Sequence, residues 1–445
     1  MNNLKTLEAD AENLVSLAKQ SGADACDVVV ASGNSLSVSV RDGELENSNR
    51  SESDALYLRV FCGKKIASVT SNTKKDPKSL VERAVAMAKV SPEDQDQGRL
   101  FPPDQISERI AQLDLYDQTE TTASDMERMA LEAEASGLAV KGVAKSMGAG
   151  MGWSSSGFVL ATSDGFSGSY ERSGFSLSVS LVAGEGTGME RDYDFDSAIH
   201  LGDLRSPEDI GLSAGERVVK RLGPRQVTSG KYPLVFDPRI SAGMVGTLAG
   251  AINAASVARK TSFLREKMGE QVMASNINII DDPLMVRRSG SRPFDGEGVS
   301  SEKLDLIKNG VLQTWLLDSA TARELSLETN GRASRGASGT NPSTTNCYME
   351  AGSKSPDEMI SEIEKGLYVT ETIGHGVNMV TGDYSKGASG YWIENGELTY
   401  PVAEVTIAGN LAEMFLNTTP ADDLVFKYGT NAPTLLVEGM TTGGK

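Results

Sequence analysis

The sequence is poor in the side chains that most metal and redox sites use. Its 445 residues include two histidines, His200 and His375, and three cysteines, Cys26, Cys62 and Cys347. The cysteines lie far apart and form no Cys-x-x-Cys pair, the spacing that indicates a zinc or redox site. They are therefore expected to be reduced, inert core thiols, which is typical of a cytoplasmic protein.

Long apolar runs are also missing. No stretch of about 20 apolar residues occurs, so no membrane-spanning helix is expected. The first residues, MNNLKTLEADAENL, lack the basic start and the apolar run of a secretory signal peptide. Both observations favour a cytoplasmic location without membrane contact.

Basic residues are fewer than acidic residues in this sequence. Lys and Arg number 43 against 61 Asp and Glu, which gives a net charge of −18. Direct binding of nucleic acid needs a basic surface, so it is not expected here. An acidic surface keeps a protein soluble without any further role.

What the sequence does contain is a regular order of helices and strands. Leucines and valine at helical spacing predict a helix over residues 4–19, and Asp76-Pro77 starts a second helix that runs to Val90. Short β-like runs lie between the two helices, and they predict strands at Asp27–Ala31, Ser35–Val40, Ala55–Phe61 and Ile66–Thr70. We interpret residues 1–90 as an N-terminal α+β domain and residues 91–118 as a linker.

Residues 119–225 repeat this order and predict a second α+β domain. A helix starts at Ser124-Asp125 and another at Pro207. Strands are predicted between them, at Gly142–Met147, Ser156–Thr162, Phe175–Val182 and Arg191–Phe195. Asp42-Gly43 and Asp164-Gly165 are followed by similar alternating patterns, which suggests an internal duplication. The alternative is that two half-exposed β segments simply look alike.

Residues 229–445 predict a third, C-terminal domain. The strand Tyr232–Phe236 precedes an uncharged stretch, which predicts a buried helix over 238–258. Asn309-Gly310 and Asn395-Gly396 each predict a β-hairpin turn, and a loop rich in Gly and Ser lies between them, at Asn330–Thr345. The predicted class is α+β, with two α-β-α units followed by a mostly antiparallel β domain around a buried helix.

Four carboxylates are the best candidates for metal ligands in this sequence. Asp281, Asp282, Asp295 and Glu297 could bind a hard cation such as Mg²⁺, but Asp-Asp-Pro and Asp-Gly-Glu-Gly are also common turn and loop sequences. Since the histidines have no ligand spacing, neither metal ligands nor catalytic residues are expected. If a metal were bound, the candidates would be His375, Asp281 and Asp282.

A glycine-rich segment, Thr381–Gly390, has two interpretations. It could form a wall of a peptide cleft or an interface, where exposed backbone pairs with an extended substrate, or it could be a tight bulge between strands. The residues that the first interpretation singles out are Gly382, Asp383, Tyr384, Ser385, Gly387 and Gly390.

The stretches Leu234–Gly298 and Gly366–Gly409 resemble the TldD/PmbA family, the modulators of DNA gyrase, and the resemblance covers nearly the whole chain. The TldD-like branch carries His-Glu-x-x-x-His on the helix that corresponds to 238–258, has a Cys ligand near the C-terminus, and is understood as a zinc protease. Here Gly246–Ala251 reads GTLAGA, and Tyr428–Val437 contains no Cys. The chain therefore resembles the PmbA branch, also called TldE, which lacks the motif.

This resemblance implies a subunit of a cytoplasmic TldD–TldE metalloprotease that acts on unfolded peptides, in peptide maturation and antitoxin degradation. It implies a TldD-like catalytic partner that holds the zinc, with no cofactor in this chain; whether a homodimer forms when that partner is missing is left open by the sequence. Two alternatives stay open. One is a self-sufficient metallopeptidase with unorthodox ligands, His375 among them; the other is a non-proteolytic regulator that binds gyrase or an antitoxin.

Overall fold

The structure, a computed structural model, describes residues 4–73, 75–96, 106–107, 110–336 and 339–445. Its helices, in chain order, are α1 (Leu4–Gln20), α2 (Pro77–Val90), α3 (Ala123–Leu138), α4 (Pro207–Lys220), α5 (Pro238–Ala251), α6 (Ala254–Ala258), α7 (Ser319–Glu324), α8 (Pro356–Ser361) and α9 (Leu411–Leu416). Its strands are β1 (Ala25–Arg41), β2 (Glu44–Cys62), β3 (Lys65–Ser71), β4 (Val143–Thr162), β5 (Ser167–Ala183), β6 (Glu190–Ala198), β7 (Gly230–Phe236), β8 (Ile279–Asp281), β9 (Leu304–Lys308), β10 (Val311–Leu312), β11 (Ala333–Gly336), β12 (Gly339–Pro342), β13 (Cys347–Met349), β14 (Lys365–Ile373), β15 (Asp383–Glu394), β16 (Glu397–Asn410), β17 (Thr418–Pro420), β18 (Thr430–Asn431) and β19 (Leu435–Gly443).

The first two predicted units share one antiparallel sheet. Its strand order is β3-β2-β1-β4-β5-β6, and β1 pairs with β4 from Asp27↔Thr162 to Val40↔Ala149. Each unit contributes a helix, three strands and a helix in the same order, which is the repetition that the sequence suggested. Helices α1 and α2 pack on one half of the sheet, and α3 and α4 pack on the other half.

Two strands of this sheet each merge two of the predicted strands. The runs at 27–31 and 35–40 form the single strand β1, and those at 142–147 and 156–162 form the single strand β4. The polar residues Ser32, Gly33 and Asn34 do not interrupt β1, because β2 and β4 pair with them on both sides. Two-sided pairing satisfies the backbone and so outweighs the local turn preference.

The predicted linker packs against this sheet wherever it is described. Leu113 and Leu115 are buried, and the carbonyl of Leu115 accepts a hydrogen bond from the backbone N–H of Ser173 at 2.9 Å. Ile106 forms an isolated β-bridge with Val299. The described part of 91–118 therefore contacts both the shared sheet and the C-terminal region. Residues 97–105, 108 and 109 lie outside the described residues.

The C-terminal region is mostly antiparallel, as predicted. Its larger sheet has the order β16-β15-β14-β7-β19-β17, and a further pairing of β16 with β19 closes five of these strands into a barrel. A second sheet has the order β10-β9-β8-β13-β18. Both predicted Asn-Gly turns are confirmed: Asn309 and Gly310 have φ of 50° and 78°, and Asn395 and Gly396 have 52° and 81°, the left-handed values that a type I′ turn requires.

Two details of the C-terminal prediction are wrong. The predicted loop at 330–345 contains the β11–β12 hairpin, whose residues 337 and 338 lie outside the described part. The predicted helix over 238–258 breaks into α5 and α6, because the backbone of Asn253 bridges to Leu316 while its side chain accepts the N–H of Ala255 at 2.9 Å. No helix among the described residues is long and apolar enough to cross a membrane.

Candidate functional site

The helix α5 begins with strong local signals. The Asp237 side chain caps it by accepting the backbone N–H of Arg239 at 3.0 Å, and Pro238 occupies its first turn. The buried hydroxyl of Ser241 donates to the carbonyl of Pro433 at 2.6 Å, which ties the first turn to the C-terminal segment. The cap and this hydrogen bond therefore fix the start of α5 relative to the C-terminal segment.

Only one face of α5 is buried, which corrects the expectation of a helix covered on all sides. Met244, Val245, Leu248 and Ala251 lie in the core. The opposite face is a stripe of backbone formed by four small residues at spacings of three and four, namely Gly243, Gly246, Thr247 and Gly250. The prediction of a fully buried helix was wrong because an uncharged helix rich in Gly and Ala has no polar face that would indicate its exposed side.

The open stripe of α5 (Gly243, Gly246, Thr247 and Gly250) is unobstructed over most of its length. A β-carbon at Gly243 or Gly246 would meet no atom within 4 Å, whereas one at Gly250 would lie 3.5 Å from Cε of Met379. Met379 belongs to the loop 374–382 between β14 and β15. This loop therefore borders the stripe at its C-terminal end.

The positions that correspond to His-Glu-x-x-x-His hold no metal ligand of the usual kinds. Gly246 has no side chain, and the hydroxyl of Thr247 donates to the carbonyl of Gly243 at 2.8 Å. Ala251 is fully buried and faces the core. Zinc in proteins is bound by thiolate, imidazole or carboxylate, so these residues do not fit a zinc ion.

Asp281 and Asp282 have structural partners. Asp281 is fully buried and accepts hydrogen bonds from the N–H and the hydroxyl of Thr345, at 2.6 and 2.8 Å. Its second oxygen also lies 2.5 Å from Nε of Arg332, another fully buried side chain. Asp282 accepts the N–H of Leu284 at 2.9 Å, as in an Asx turn. The turn interpretation therefore describes Asp282, whereas Asp281 ends strand β8 and its carboxylate is taken up by Thr345 and Arg332.

Asp295 and Glu297 hold a buried loop. Asp295 accepts the backbone N–H groups of Glu297, Val299 and Ala333, at 2.9, 2.8 and 3.1 Å. Glu297 accepts the N–H of Ser319 at 2.9 Å. Burial, together with the charge of Glu297, raises the pKa of Asp295 to about 7.

The histidines lie apart from these carboxylates. His375 is exposed in the loop after β14, whereas Asp281 ends β8 in the other C-terminal sheet. The His200 ring lies 3.0 Å from the carbonyl oxygen of Asp114. Within the described ranges, no three His, Cys, Asp or Glu side chains come close enough to hold a metal ion.

The backbone of the glycine-rich segment is paired within the barrel. Gly387 pairs with β14 on one side and β16 on the other, and so does Gly390. At Gly390 both pairings shift register, and a β-carbon there would lie 1.8 Å from the carbonyl oxygen of Tyr368. An extended substrate therefore has no free backbone to pair with at these two glycines, and the bulge interpretation describes Gly390. Tyr384 lies in the core, where burial raises its pKa to about 12.

The remaining three candidates lie where the strand begins. Gly382 has a left-handed φ of 82°, and Asp383 and Ser385 are exposed. Hydrogen bonds from the Thr381 hydroxyl at 2.6 Å and from Asn410 at 3.2 Å lower the pKa of Asp383. These residues adjoin the loop that borders the open stripe, and their role in a cleft or interface stays a prediction.

Sequence reasoning missed a ladder of buried carboxylates on β6. Asp192, Asp194 and Asp196 are all buried. Asp192 and Asp194 accept the outward backbone N–H groups of Tyr193 and Phe195, at 2.8 and 2.9 Å. Because β6 is an edge strand, these bonds satisfy donors that would otherwise invite another strand. The alternation Asp-Tyr-Asp-Phe-Asp was the available signal.

The ladder also joins the shared sheet to the start of α5. Arg239 lies 3.6 Å from Asp192 and over the ring of Tyr193. Arg221 lies 3.5 Å from Asp192 and 2.6 Å from Glu371 on β14. These contacts orient α5 against β6. Nothing in the local sequence could have revealed them, because the partners are distant along the chain.

A cleft of about 920 Å³ opens between the shared sheet and the C-terminal region. Its floor is formed by small residues of four strands, and its walls come from two C-terminal segments, 286–289 and 425–428. We call it the serine cleft, after the floor residues Ser35, Ser37, Ser154, Ser176 and Ser197. A second cavity, lined by Asn34 and Tyr116 among others, has about 560 Å³.

Comparison with known proteins places these features in a family. The PmbA/TldA metallopeptidase models match residues 26–88 for domain 1, 108–222 for the central domain and 229–444 for the C-terminal domain. The metalloprotease PmbA homolog of Haemophilus influenzae is 34% identical over 434 residues, which cover 97% of this chain and 94% of that protein.

Solved structures share the whole fold. A candidate modulator of DNA gyrase from Bacteroides thetaiotaomicron superposes with a TM-score of 0.90 at 27% identity, over 98% of each chain. TldE from Thermococcus kodakarensis gives a TM-score of 0.86 at 22% identity, over 98% of this chain and 100% of that chain. The expected mixed α+β architecture is confirmed by these matches, and the chain belongs to the PmbA/TldD family of metalloprotease-like proteins, on its PmbA side.

Proposed function

We propose that this chain is the non-catalytic subunit of a two-protein metallopeptidase that cleaves unfolded peptides in the cytoplasm. The supporting observation is the open stripe of α5. At the positions of the family's zinc-binding motif it presents Gly246 and Thr247, while Ala251 points into the core. In this proposal, a TldD-like partner holds the zinc.

The chain's own contribution is then to enclose the substrate. The open stripe and the loop 374–382 leave backbone and small side chains at a surface where the catalytic branch has ligands. Ile373, just before that loop, and Val380, within it, are 63% and 49% exposed. An exposed apolar border beside bare backbone suits contact with a partner chain or with an unfolded peptide.

A self-sufficient metallopeptidase has less support. Its candidate ligand Asp281 is fully occupied by Arg332 and Thr345. His375 is exposed and lies in a different sheet system. For a non-proteolytic regulator of gyrase or an antitoxin, no feature of the described residues favours a specific contact.

The test is a mixing experiment. This chain and a His-Glu-x-x-x-His family member from the same organism are purified separately, and cleavage of an unfolded, fluorogenic peptide is measured for each alone and for the mixture. Zinc is measured by elemental mass spectrometry on the same samples. We expect cleavage only in the mixture, and less than about 0.1 zinc per molecule of this chain, since a catalytic site binds its zinc tightly.

Two variants separate the proposal from its alternatives. His375→Ala in this chain is expected to leave the zinc content of the mixture unchanged and its cleavage detectable, whereas replacing the motif glutamate of the partner should abolish cleavage. Chelator-sensitive cleavage by this chain alone, lost in His375→Ala, would instead establish the self-sufficient enzyme. A stable complex with gyrase or an antitoxin, without any cleavage by the mixture, would establish the regulator.

A further inference from the structure

The floor of the serine cleft is unusually bare. One row of paired residues crosses four neighbouring strands, Ser37↔Gly152↔Ser176↔Ser197, and a second row contains Ser35, Ser154 and Gly174. The residues that alternate with them, such as Leu36 and Phe175, point to the helices on the other face. The floor therefore offers hydroxyls and backbone with no large side chain above them.

The cleft is lined by three cationic side chains that are not paired with carboxylates, one on β5 and two on the walls. The guanidinium of Arg172 donates to the carbonyls of Ser289 and Ser291, and burial lowers its pKa. Arg288 donates to the carbonyl of Phe426 at 3.0 Å. Together with Lys427, they have no carboxylate oxygen within 4.0 Å among the described residues.

The other charges at the cleft are already matched. Arg205 lies 2.8 Å from Asp194, and Arg287 lies 2.5 Å from Asp114. Of the two lining carboxylates, Asp196 accepts the N–H of Arg205, and Asp203 lies 3.5 Å from Arg287. The excess charge of the cleft is therefore positive, although the protein carries a net charge of −18.

The local charge outweighs the global one at short range. At physiological ionic strength the screening length is about 8 Å, so most of the protein's carboxylates act weakly on a ligand inside the cleft. Arg172 and Arg288 contact neutral carbonyl groups, so no nearby carboxylate offsets their positive charge before a ligand binds. A carboxylate entering the cleft would gain charge-assisted hydrogen bonds there.

The shape of the cleft favours a chain over a compact anion. Adjacent strands lie about 4.8 Å apart, so a floor four strands wide measures about 14 Å, the length of about four extended residues. The three unmatched cations come from β5 and from the two wall segments rather than from a single cradle. Phe426 and Tyr428 add aromatic surface for side chains of any kind.

We infer that the serine cleft binds an extended, acidic segment of a peptide. This inference rests on the proposed function, because it assigns a preferred substrate class to the same enclosure. Recognition would come from Arg288, Lys427 and Arg172 contacting acidic side chains, with the serine floor below. The occupant is a peptide rather than nucleic acid, because the rest of the surface is too acidic to hold a longer polyanion.

Fluorescence anisotropy on the isolated full-length chain tests the inference. The probes are end-capped, labelled Gly-Ser-Glu repeat peptides, the same peptides with Gln or Lys in place of Glu, and a single-stranded oligothymidine. We expect the Glu peptide to bind about tenfold more tightly than the Gln peptide, through a few partly exposed charge contacts. We expect the Lys peptide to bind least and added salt to weaken the Glu complex.

The double variant R288Q/K427Q should bind the Glu peptide about tenfold more weakly. Its matched control is K78Q/R83Q, which removes the same charge from exposed positions on α2 and should change binding less than about twofold. If the double variant fails to fold, the Glu-to-Gln comparison on the unmodified protein still decides. Arg172 is left unchanged, because it anchors the 289–291 segment.

Equal binding of the Glu and Gln peptides, no binding of either, or an unchanged affinity in R288Q/K427Q would overturn the inference. Preferential binding of the oligothymidine would overturn it in favour of a nucleic-acid site. These outcomes are separate from the proposed function. If the mixture with the catalytic partner cleaves Glu and Gln peptides equally well, the proposed function stands and the acidic preference falls.

Discussion

Replacing Asp27 with Ala is expected to destabilise the protein by about 3–5 kcal/mol, because it leaves buried arginines without their main partner. Asp27 is 1% exposed on β1. One of its oxygens accepts a hydrogen bond from Nε of Arg59 at 2.7 Å and lies 2.6 Å from Nη2 of the same residue, and the other oxygen contacts Arg335 of the β11–β12 hairpin. Burial alone would raise the pKa of Asp27, but Arg335 and Arg59 outweigh it and hold the pKa below its ordinary value.

The size of this destabilisation follows from the positive charge that Asp27→Ala leaves buried without a partner. At an effective dielectric constant of about 20, an ion pair at these separations is worth about 6 kcal/mol, and desolvation of the three groups offsets most of that in the intact protein. Without Asp27, Arg59 retains only Glu297 at 3.5 Å. The second guanidinium, that of Arg335, has no carboxylate other than Asp27 within 4.0 Å among the described residues. The loss is therefore near that of breaking a buried pair.

Urea denaturation followed by tryptophan fluorescence measures this loss. Arg335→Met should rescue part of it in a double-mutant cycle, because it removes one stranded cation, with a coupling free energy of about 1–3 kcal/mol. The control is Glu52→Ala on β2, whose exposed pair with Arg50 should be worth less than about 1 kcal/mol. A cost for Asp27→Ala as small as that of the control would refute the reasoning.

Two further predictions concern glycine and protonation. Gly246→Ala should stabilise the protein by about 0.5–1 kcal/mol, since the added β-carbon meets open space on a helix. Gly390→Ala should destabilise it by more than about 2 kcal/mol, because the added β-carbon would overlap the carbonyl oxygen of Tyr368. Thermal melting measures both changes, and similar melting curves for the two variants would contradict this prediction. The raised pKa of Asp295 means that its stabilising contribution is fully present below the ordinary value of 3.8 and is lost as the pH rises through about 7. The unfolding free energy of the natural protein should therefore fall, relative to Asp295→Asn, by up to about 1.4 kcal/mol per pH unit across that window, and parallel pH profiles in urea denaturation would rule this out.

Local patterns were sufficient for most elements of the fold. Asp76-Pro77 and Pro207 mark helix starts that the structure confirms, and both Asn-Gly turns have the φ values that this turn type requires. Each of these signals acts over a few residues. The exposed stripe of α5 escaped prediction because Gly243 and Gly246 lack side chains that would mark a surface.

The candidate site depended on contacts that no local pattern encodes. The sequence pattern suggested a turn at Asp281, but this residue ends strand β8 and is buried against Arg332, which is far away in the chain. The unmatched charge of the serine cleft depends on which arginines meet carboxylates and which meet carbonyls. Arg287 and Arg288 are adjacent in sequence, yet the first is paired with Asp114 and the second is not.

The pairing of β1 with β4 has a consequence for how the protein is made. During synthesis β1 and β2 emerge early, but the edge of β1 from Asp27 to Val40 finds its partner only once Thr162 has left the ribosome. Until then a valine-rich strand presents open backbone donors and acceptors, which is the surface on which chains aggregate. A fragment that ends at residue 90 would keep that edge for good, so expressing the first unit alone should yield insoluble protein. A fragment that extends through β6 and α4 would complete the sheet.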